Sequence, residues 1–204
     1  MFYVIIVTLA WLVWHIGFRI KVIGKENLIK DRGFVMVCNH ISAIDPVFLV
    51  ISRLWGKKLL IMAKQEVFEV NPVFSWMFRH VGVFPVARGK GDAEPLNRAI
   101  ETIQTENRGL LIFPEGTRSK DGNLQRLKSG AFVVAQQANV DIQPCRIIYK
   151  GGKMRVFGRA TVVFGKPIPI ESLNIDGSAS SLRSAKAVVT QAMEQLLEDN
   201  REYC

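Results

Sequence analysis

The chain has 204 residues, which is enough for one domain of ordinary size with a sizeable hydrophobic core. With 49% hydrophobic and 22% charged residues it is too apolar for a disordered chain and rich for a soluble one, so we expect some apolar surface to face lipid. The net charge of +9 favours an anionic partner, and three cysteines without framework spacing argue against a disulfide-stapled secreted protein and favour a reducing, cytoplasmic setting.

The N-terminal segment 2–18 carries no formal charge, and it is followed by basic residues at Arg19, Lys21, Lys25 and Lys30. A cleaved signal peptide would have a basic region before the apolar segment and a small-residue cleavage site after it, and the sequence shows neither feature. As a helix the segment is about 25 Å long, a little short of the roughly 30 Å hydrocarbon core, so it is a spanning anchor, a shallow or re-entrant segment, or a soluble core helix. The basic residues after it favour the cytoplasmic side for the rest of the chain. We expect a membrane anchor or interfacial helix over residues 1–20 and one further domain over residues 21–204.

Beyond this segment, short apolar runs alternate with helical patterns. Runs rich in Val, Ile, Leu and Phe predict strands at 34–38, 59–63, 110–113, 142–148, 154–157 and 161–164. Apolar residues at helical spacing predict helices at 95–107, at 130–138 and over 185–197, the last behind several serines that can cap it. The pattern predicts an α/β fold, a single domain with a central, mostly buried mixed β-sheet flanked by helices.

The predicted strand at 34–38 is followed directly by Asn39 and His40, and Asp45 and Pro46 come soon afterwards. On an ideal helix His40 and Asp45 point in directions about 140° apart, so these two side chains meet only if a turn joins them. Pro46 suits the first helical position and Asp45 the N-cap, and a loop over 39–44 can bring the carboxylate back to the imidazole. In that geometry the carboxylate orients Nδ1 and leaves Nε2 as a general base. The alternative is that Asp45 only caps a helix and His40 only closes a strand.

A second constellation is the stretch FPEGTRS at 113–119, which follows a predicted strand at the edge where sites of α/β sheets lie. Arg88 projects after a separate apolar run. A guanidinium group binds two phosphate oxygens at once through parallel hydrogen bonds. Arg88 and Arg118, with the hydroxyl of Thr117, therefore fit a phosphate monoester. The alternative is that both are surface arginines that hydrogen-bond to loops.

In order and spacing these segments resemble the glycerolipid acyltransferase superfamily, and most closely its 1-acyl-sn-glycerol-3-phosphate acyltransferases. The first family motif, N-H-x-x-x-x-D, is similar to Asn39, His40 and Asp45. The second, ending in F-P-V-x-R, corresponds to 84–88, and the third, F-P-E-G-T-R-S, to 113–119. A weaker fourth motif leads to Pro144, and the looser likeness runs from about residue 22 to 169. The N-terminal apolar segment is short for the family, in which two helices are common.

The resemblance implies a glycerol-3-phosphate acyltransferase-like fold and transfer of an acyl chain from a thioester to the sn-2 hydroxyl of lysophosphatidic acid. It implies that His40 is the general base and Asp45 its orienter, and that the glycerol-phosphate end binds Arg88, Glu115, Gly116, Thr117 and Arg118. Lys64 and backbone N–H groups near strand ends are candidates for the hydrogen-bond donor to the oxyanion or for a contact with the acyl donor. Lys64 is equally well explained as a solvated charge. We expect no metal and no bound cofactor, with acyl-CoA or acyl-acyl carrier protein as co-substrate.

Both substrates carry long acyl chains, so we expect the site to open to the lipid bilayer. The stretch 66–82 is rich in large apolar side chains, which suit either the membrane interface or buried helix packing. The expected location is the cytoplasmic face of a membrane. Glycerol 3-phosphate or another lysophospholipid remains an alternative acceptor, and a non-catalytic lipid-binding protein is a further alternative. Dispersed basic residues without an aromatic or zinc pattern argue against nucleic acid.

Overall fold

The computed structural model describes residues 2–53, 58–69, 71–86 and 94–204. In these residues the helices are α1 (Phe2–Gly17), α2 (Asp45–Ser52), α3 (Gln65–Glu69), α4 (Pro72–Val81), α5 (Glu94–Glu106), α6 (Gly130–Ala138) and α7 (Ala179–Glu198). The strands are β1 (Arg19–Ile23), β2 (Phe34–Cys38), β3 (Leu60–Lys64), β4 (Val83–Val86), β5 (Gly109–Ile112), β6 (Ile142–Tyr149) and β7 (Arg159–Phe164). Short 3₁₀ turns lie at Lys25–Asn27, Lys150–Gly152, Ile170–Leu173 and Arg201–Tyr203.

The described strands form one sheet in the order β1-β7-β6-β2-β5-β3-β4. Parallel pairing joins β6, β2, β5, β3 and β4, whereas β7 runs antiparallel to β6 and carries β1 parallel to itself. The sheet is therefore mixed, as predicted. The strands β7 and β1 run opposite to β2, β5 and β6. The first residues of β7 and β1 therefore lie at the same edge of the sheet as the carboxyl ends of β2, β5 and β6.

Helices cover both faces of the sheet, so the core has two layers. On one face Ala99 of α5, Phe132 of α6 and Val189 of α7 pack with Val35 and Leu110. On the other face Val7 of α1 and Phe48 of α2 are buried against Met36 and Ile147. Because β2 contributes to both layers, all five of its residues are buried, which explains its continuous apolar sequence. The chain is a single mixed α/β domain with a central sheet flanked by helices.

Five of the six predicted strands and all three predicted helices are confirmed. The bounds of β2 and α6 are as predicted, those of the other elements differ by one or two residues, and α7 begins six residues earlier than predicted. The strand predicted at 154–157 is wrong, because these residues form the turn between β6 and β7 and Phe157 has a φ of 60°. The strand β1 was not predicted, because its alternation of basic and apolar residues reads equally well as the flank of a membrane helix. It begins at Arg19, and the boundary predicted at residue 20 stays a prediction.

The N-terminal apolar segment forms α1. One side of this helix packs on the domain through Val7, and the other side exposes Ile5, Leu9, Leu12 and Ile16. Among the described residues, no helix combines the length and the apolar character that crossing a bilayer requires.

Gly109 opens β5 directly opposite Phe34 of β2. A Cβ at this position would lie 2.3 Å from Cζ of the buried Phe34 ring, far inside van der Waals contact. The close pairing of β2 and β5 therefore requires a residue without a Cβ at position 109.

We expect Gly109→Ala to lower the free energy of unfolding by about 1–3 kcal/mol, because the methyl group overpacks the core and displaces the ring. Gly130→Ala is the matched control, since a Cβ there meets nothing within 4 Å at the first residue of α6, and it should be neutral or slightly stabilising. Urea denaturation of both variants measures the difference. Equal stabilities would contradict the close approach at Gly109.

Candidate active site

The site begins where β2 ends, at the buried side chain of Asn39. Its Nδ2 donates to the carbonyl of Ile147 at 3.0 Å, and its Oδ1 accepts from the backbone N–H of Ile147 at 2.7 Å. The side-chain amide thus replaces one rung of backbone pairing between β2 and β6. This frees the main chain after Asn39 to leave the sheet and turn toward α2.

The loop after Asn39 brings His40 and Asp45 together. His40 Nδ1 lies 2.9 Å from Asp45 Oδ2, and the same oxygen accepts from the backbone N–H groups of Ile41 at 2.7 Å and Ser42 at 2.8 Å. A carboxylate only accepts hydrogen bonds, so in the neutral imidazole the proton is on Nδ1 and Nε2 keeps its lone pair. The side chain of His40 is partly exposed, while Asp45 is fully buried.

The prediction that Asp45 is the N-cap of a helix is wrong. Ile44 is the N-cap residue, and Asp45 is itself the first helical residue with Pro46 after it. Its carboxylate points back to the loop N–H groups and to the imidazole, whereas the first N–H groups of α2, at Val47 and Phe48, donate to the carbonyl of Ile44. The alternative in which Asp45 only caps a helix therefore does not describe this geometry.

Tyr149, at the end of β6, supplies the remaining contact of the Asp45 carboxylate. Its hydroxyl donates to Asp45 Oδ1 at 2.6 Å inside the protein. Burial, and then the charge of Asp45, raise the pKa of Tyr149 well above its usual range, so this hydroxyl stays a donor. This residue was not predicted, because 104 positions separate it from Asp45 and no local pattern joins them.

The stretch 113–119 holds His40 from the opposite side through three contacts. The ring of Phe113 stacks on the imidazole at 4.1 Å between centroids, with 22° between the planes. Glu115 Oε1 accepts from the backbone N–H of His40 at 2.7 Å. The backbone N–H of Ser119 donates to the carbonyl of His40, also at 2.7 Å. Both backbone polar groups and one ring face of His40 are therefore fixed by this stretch.

Glu115 is 3% exposed, and both of its carboxylate oxygens bind backbone amides. Besides His40, the N–H of Gln125 donates to Oε2 at 2.9 Å. Burial raises the pKa of the Glu115 carboxyl, and the two amide donors act in the opposite direction. A carboxylate used in this way braces two loops against each other.

The next three residues of the stretch lie nearer to solvent. Gly116 has a φ of 74°, and a Cβ there would lie 2.4 Å from Nζ of Lys128, so a larger residue would displace that side chain. Thr117 is exposed and its hydroxyl lies 3.2 Å from Gln125 Oε1. Arg118 is exposed as well. The loop thus presents a hydroxyl and two cations, Arg118 and Lys128, at the carboxyl edge of the sheet.

Two predicted site residues cannot be described in the same way. Arg88 lies outside the described residues, although β4 ends at Val86, two positions before it. Lys64 is the last residue of β3, and its backbone pairs with that of Val86, but its side chain is not described.

Arg146, on β6, places a buried positive charge behind the 113–128 loop. Its Nη2 donates to the carbonyl of Gly122 at 3.3 Å, and burial lowers the pKa of its guanidinium. Glu115 is one of the charges that act on it. Arg146 was not predicted, because it lies inside an apolar strand pattern, where an isolated arginine carries no recognisable signal.

Comparisons with known proteins assign the chain to a family. Residues 19–148, more than half of the chain, match the family model described as Acyltransferase. The 1-acyl-sn-glycerol-3-phosphate acyltransferase of Saccharomyces cerevisiae is 32% identical over 171 residues, which cover 79% of this chain and 55% of the yeast protein. The Bacillus subtilis protein of the same name is 27% identical over 188 residues, 88% of this chain and 87% of its own. This chain spans about half the length of the yeast, Arabidopsis and pneumococcal relatives.

A solved structure supports the fold independently. The crystal structure of the 1-acyl-sn-glycerophosphate (LPA) acyltransferase PlsC from Thermotoga maritima superposes with a TM-score of 0.68 at 24% identity, covering 95% of this chain and 78% of the other. The family predicted from the motifs is confirmed: this chain belongs to the acyltransferase family.

Proposed function

We propose that this protein transfers an acyl chain from an acyl thioester to the sn-2 hydroxyl of 1-acyl-sn-glycerol 3-phosphate, giving phosphatidic acid. Membership of the acyltransferase family and relatives named for this activity support the proposal. The observation that carries it is the 2.9 Å contact between His40 Nδ1 and Asp45 Oδ2, which leaves Nε2 of a partly exposed imidazole free to take a proton.

In the proposed reaction, His40 Nε2 removes the proton of the sn-2 hydroxyl as its oxygen attacks the thioester carbonyl. The tetrahedral intermediate collapses, the carbon–sulfur bond breaks, and the imidazolium returns the proton to the leaving thiolate. Asp45 stabilises the imidazolium between these steps, and Tyr149 and the loop amides hold the carboxylate in place. Because Phe113, Glu115 and Ser119 fix the imidazole and its backbone, little reorganisation is needed when the hydroxyl arrives.

For the oxyanion of the intermediate we propose two sources, the ammonium group of Lys64 and backbone N–H groups at the strand ends. Lys64 ends β3, at the same edge as His40, which supports its candidacy. No metal and no bound cofactor takes part in this scheme. The acyl donor is acyl-CoA or acyl-acyl carrier protein.

For the phosphate of the acceptor we propose Arg118 and Arg88 as the cationic clamp, assisted by Thr117 and the backbone at Gly116. Arg118 and Thr117 are exposed on the loop that also touches His40, which supports this placement. Arg88 follows β4, three strands from β2 in the sheet order, or roughly 14 Å at the usual strand spacing. Glu115, first assigned to the acceptor, is proposed instead as a positioning residue, because both its oxygens bind backbone amides.

We further propose that the protein works on the cytoplasmic face of a membrane, with residues 1–20 as an interfacial segment and residues 21–204 as the acyltransferase domain. The exposed apolar side of α1 supports an interfacial position. Both lipid substrates would then reach the site from one bilayer.

The direct experiment is to measure free-thiol release from acyl-CoA or acyl-acyl carrier protein by the purified protein, with and without lysophosphatidic acid. The proposal expects release that depends on the acceptor, with phosphatidic acid as the lipid product. Parallel reactions with glycerol 3-phosphate and other lysophospholipids decide which acceptor is used. Lipid binding without any thiol release would instead indicate a non-catalytic lipid-binding protein.

Asp45→Asn separates the negative charge of the orienter from its hydrogen bonds. The asparagine Oδ1 can keep the donors Ile41, Ser42 and His40, but its Nδ2 cannot accept the hydrogen bond of the buried Tyr149 hydroxyl. The melting temperature should therefore fall, with a loss of about 1–3 kcal/mol in the free energy of unfolding. Loss of the charge weakens stabilisation of the imidazolium, and kcat/KM should fall by about tenfold to a hundredfold.

His40→Ala should lose more, about a hundred- to ten-thousandfold, because the base itself is gone. The double variant should be no worse than His40→Ala, since an orienter has no role without its base. Comparing kcat/KM and melting temperature for all three proteins measures both effects. Strictly multiplicative losses would show that Asp45 acts independently of His40.

Glu115→Gln tests whether this side chain positions the loops or binds the acceptor. A glutamine accepts only one of the two backbone amides and turns its own N–H groups toward the other, so the free energy of unfolding should fall by about 1–3 kcal/mol. We expect kcat to fall as His40 loses its fixed position, with little change in KM for lysophosphatidic acid.

The matched control for Glu115→Gln is Glu101→Gln, an exposed glutamate on α5, which should be neutral. Chemical denaturation and steady-state kinetics on the same preparations give both readouts. A raised KM for lysophosphatidic acid with unchanged stability would show that Glu115 binds the acceptor.

Arg118→Ala and Arg88→Ala each remove a charge-assisted contact worth about 1.5–3 kcal/mol, so kcat/KM for lysophosphatidic acid should fall by roughly ten- to a hundredfold. Replacement by lysine should recover little, because an ammonium group lacks the planar fork. Arg183→Ala, exposed on α7, is the control. If only the KM for the acyl donor rises, the arginines bind the donor's phosphates instead.

A further inference from the structure

The turn between β6 and β7 carries two exposed apolar residues at its tip. Val156 is 66% exposed and Phe157 is 75% exposed. We call these two residues the apolar tip. An exposed aromatic residue is not unusual alone, but this one also has a φ of 60°, a backbone conformation that bulky side chains disfavour. Phe157 therefore occupies an unfavourable backbone position without gaining burial in return.

The apolar tip is continuous with the exposed side of α1. The backbone N–H of Phe157 donates to the carbonyl of Gly17 at 2.9 Å, which fixes the tip at the carboxyl end of the helix. Ile16, the neighbouring helical residue, is 75% exposed, and it continues the outward row formed by Ile5, Leu9 and Leu12. Two separate segments of the chain thus contribute to one apolar surface.

Basic side chains surround the apolar tip. Exposed cations lie on the turn and on the strands that begin beside it, at Lys150, Lys153, Arg155, Arg159 and Arg19. The sequence from Ile142 to Ile170 contains no acidic residue. An apolar tip within a field of positive charge has the chemical character of a surface that meets a bilayer with anionic headgroups.

Arg19 and Arg159 add an independent indication. They are direct partners in the parallel pairing of β1 and β7, and both residues are exposed. Like charges on neighbouring strands repel each other. In the part of the chain that the structure describes, neither guanidinium is in an ion pair. An external anion between them would relieve the repulsion.

The same edge of the sheet carries the proposed active site. His40 follows the carboxyl end of β2 and the 113–119 stretch follows β5, whereas the tip follows β6 and precedes β7. A membrane that meets the tip therefore meets the molecule at the edge where a lipid acceptor would enter.

We propose that the apolar tip inserts into a bilayer that contains anionic phospholipids, as a second contact beside the exposed side of α1, with the surrounding cations on the headgroups. This inference rests on the proposed function for the idea that the substrates come from the bilayer. It assigns to Phe157 and its basic neighbours a membrane contact that the sequence motifs do not include.

The test is co-sedimentation of the full chain with vesicles of phosphatidylcholine alone and of phosphatidylcholine mixed with phosphatidylglycerol. Phe157→Asn should weaken binding to both by about tenfold, because full burial of a phenylalanine corresponds to roughly ten- to a hundredfold. Asparagine tolerates positive φ, so this variant should be at least as stable as the original protein. Lys153→Gln with Arg155→Gln should weaken binding only to the anionic vesicles, by about fivefold per charge.

Val188→Ser is the matched control, since Val188 is an exposed apolar residue on α7, which packs on the opposite face of the sheet from α1. It should bind vesicles like the original protein. Unchanged binding of a folded Phe157→Asn variant, or an equal loss in Val188→Ser, overturns the proposal. So does a change in oligomeric state, measured by light scattering, with unchanged vesicle binding, which would make the tip a contact between copies of this chain.

Activity measurements keep this inference distinct from the proposed function. Phe157→Asn should retain thiol release with short-chain, monomeric substrates and lose it in part when lysophosphatidic acid is presented in vesicles. Loss of both activities would mean that the tip supports the site structurally, which overturns the membrane role. If the original protein releases no thiol with any substrate, the proposed function fails, while the vesicle-binding result still decides this inference.

Discussion

The fully buried carboxylate of Asp45 is the group on which the rest of the site depends. A charge without water is tolerated only when hydrogen bonds replace its hydration, and here the donors are two loop amides, the imidazole of His40 and the hydroxyl of Tyr149. Meeting that requirement forces the loop after Asn39 to wrap around the carboxylate. The orientation of His40 is therefore a by-product of stabilising Asp45, and the same hydrogen bonds serve folding and the proposed chemistry.

A second constraint is that no single segment fixes His40. The strand β2 delivers it, α2 supplies its orienter, the 113–119 stretch holds its backbone, and β6 anchors both Asn39 and Asp45. Glu115 and Ser119 act on backbone atoms of His40, so they position it without depending on its side chain. In the same stretch Thr117 and Arg118 are exposed to solvent, while Glu115 and Ser119 remain buried.

The sequence was most informative where local pattern and burial coincide. Strand β2 and helices α6 and α7 follow from apolar periodicity, and the meeting of His40 with Asp45 follows from excluding a helix between them. It was least informative where tertiary contacts decide. The N-cap assignment of Asp45 failed because the carboxylate accepts hydrogen bonds from the loop before it rather than from the helix after it. The strand predicted at 154–157 failed because Val156 and Phe157 lie exposed in a turn. Tyr149 and Arg146 give no local signal, since their roles exist only after β6 has paired with β2.

The long-range character of these contacts bears on how the protein folds. Asn39 and Ile147 are 108 residues apart, Asp45 and Tyr149 are 104 apart, and His40 and Glu115 are 75 apart. The entropy of closing such large loops is lost before the contacts can stabilise the fold. Structures of this kind therefore form slowly compared with helical bundles. Helices α6 and α7 can develop early from local interactions, whereas the imidazole acquires its final surroundings only when the central strands have aligned. Recovery of the ordered site during refolding would then report the last step of sheet assembly rather than the first appearance of secondary structure.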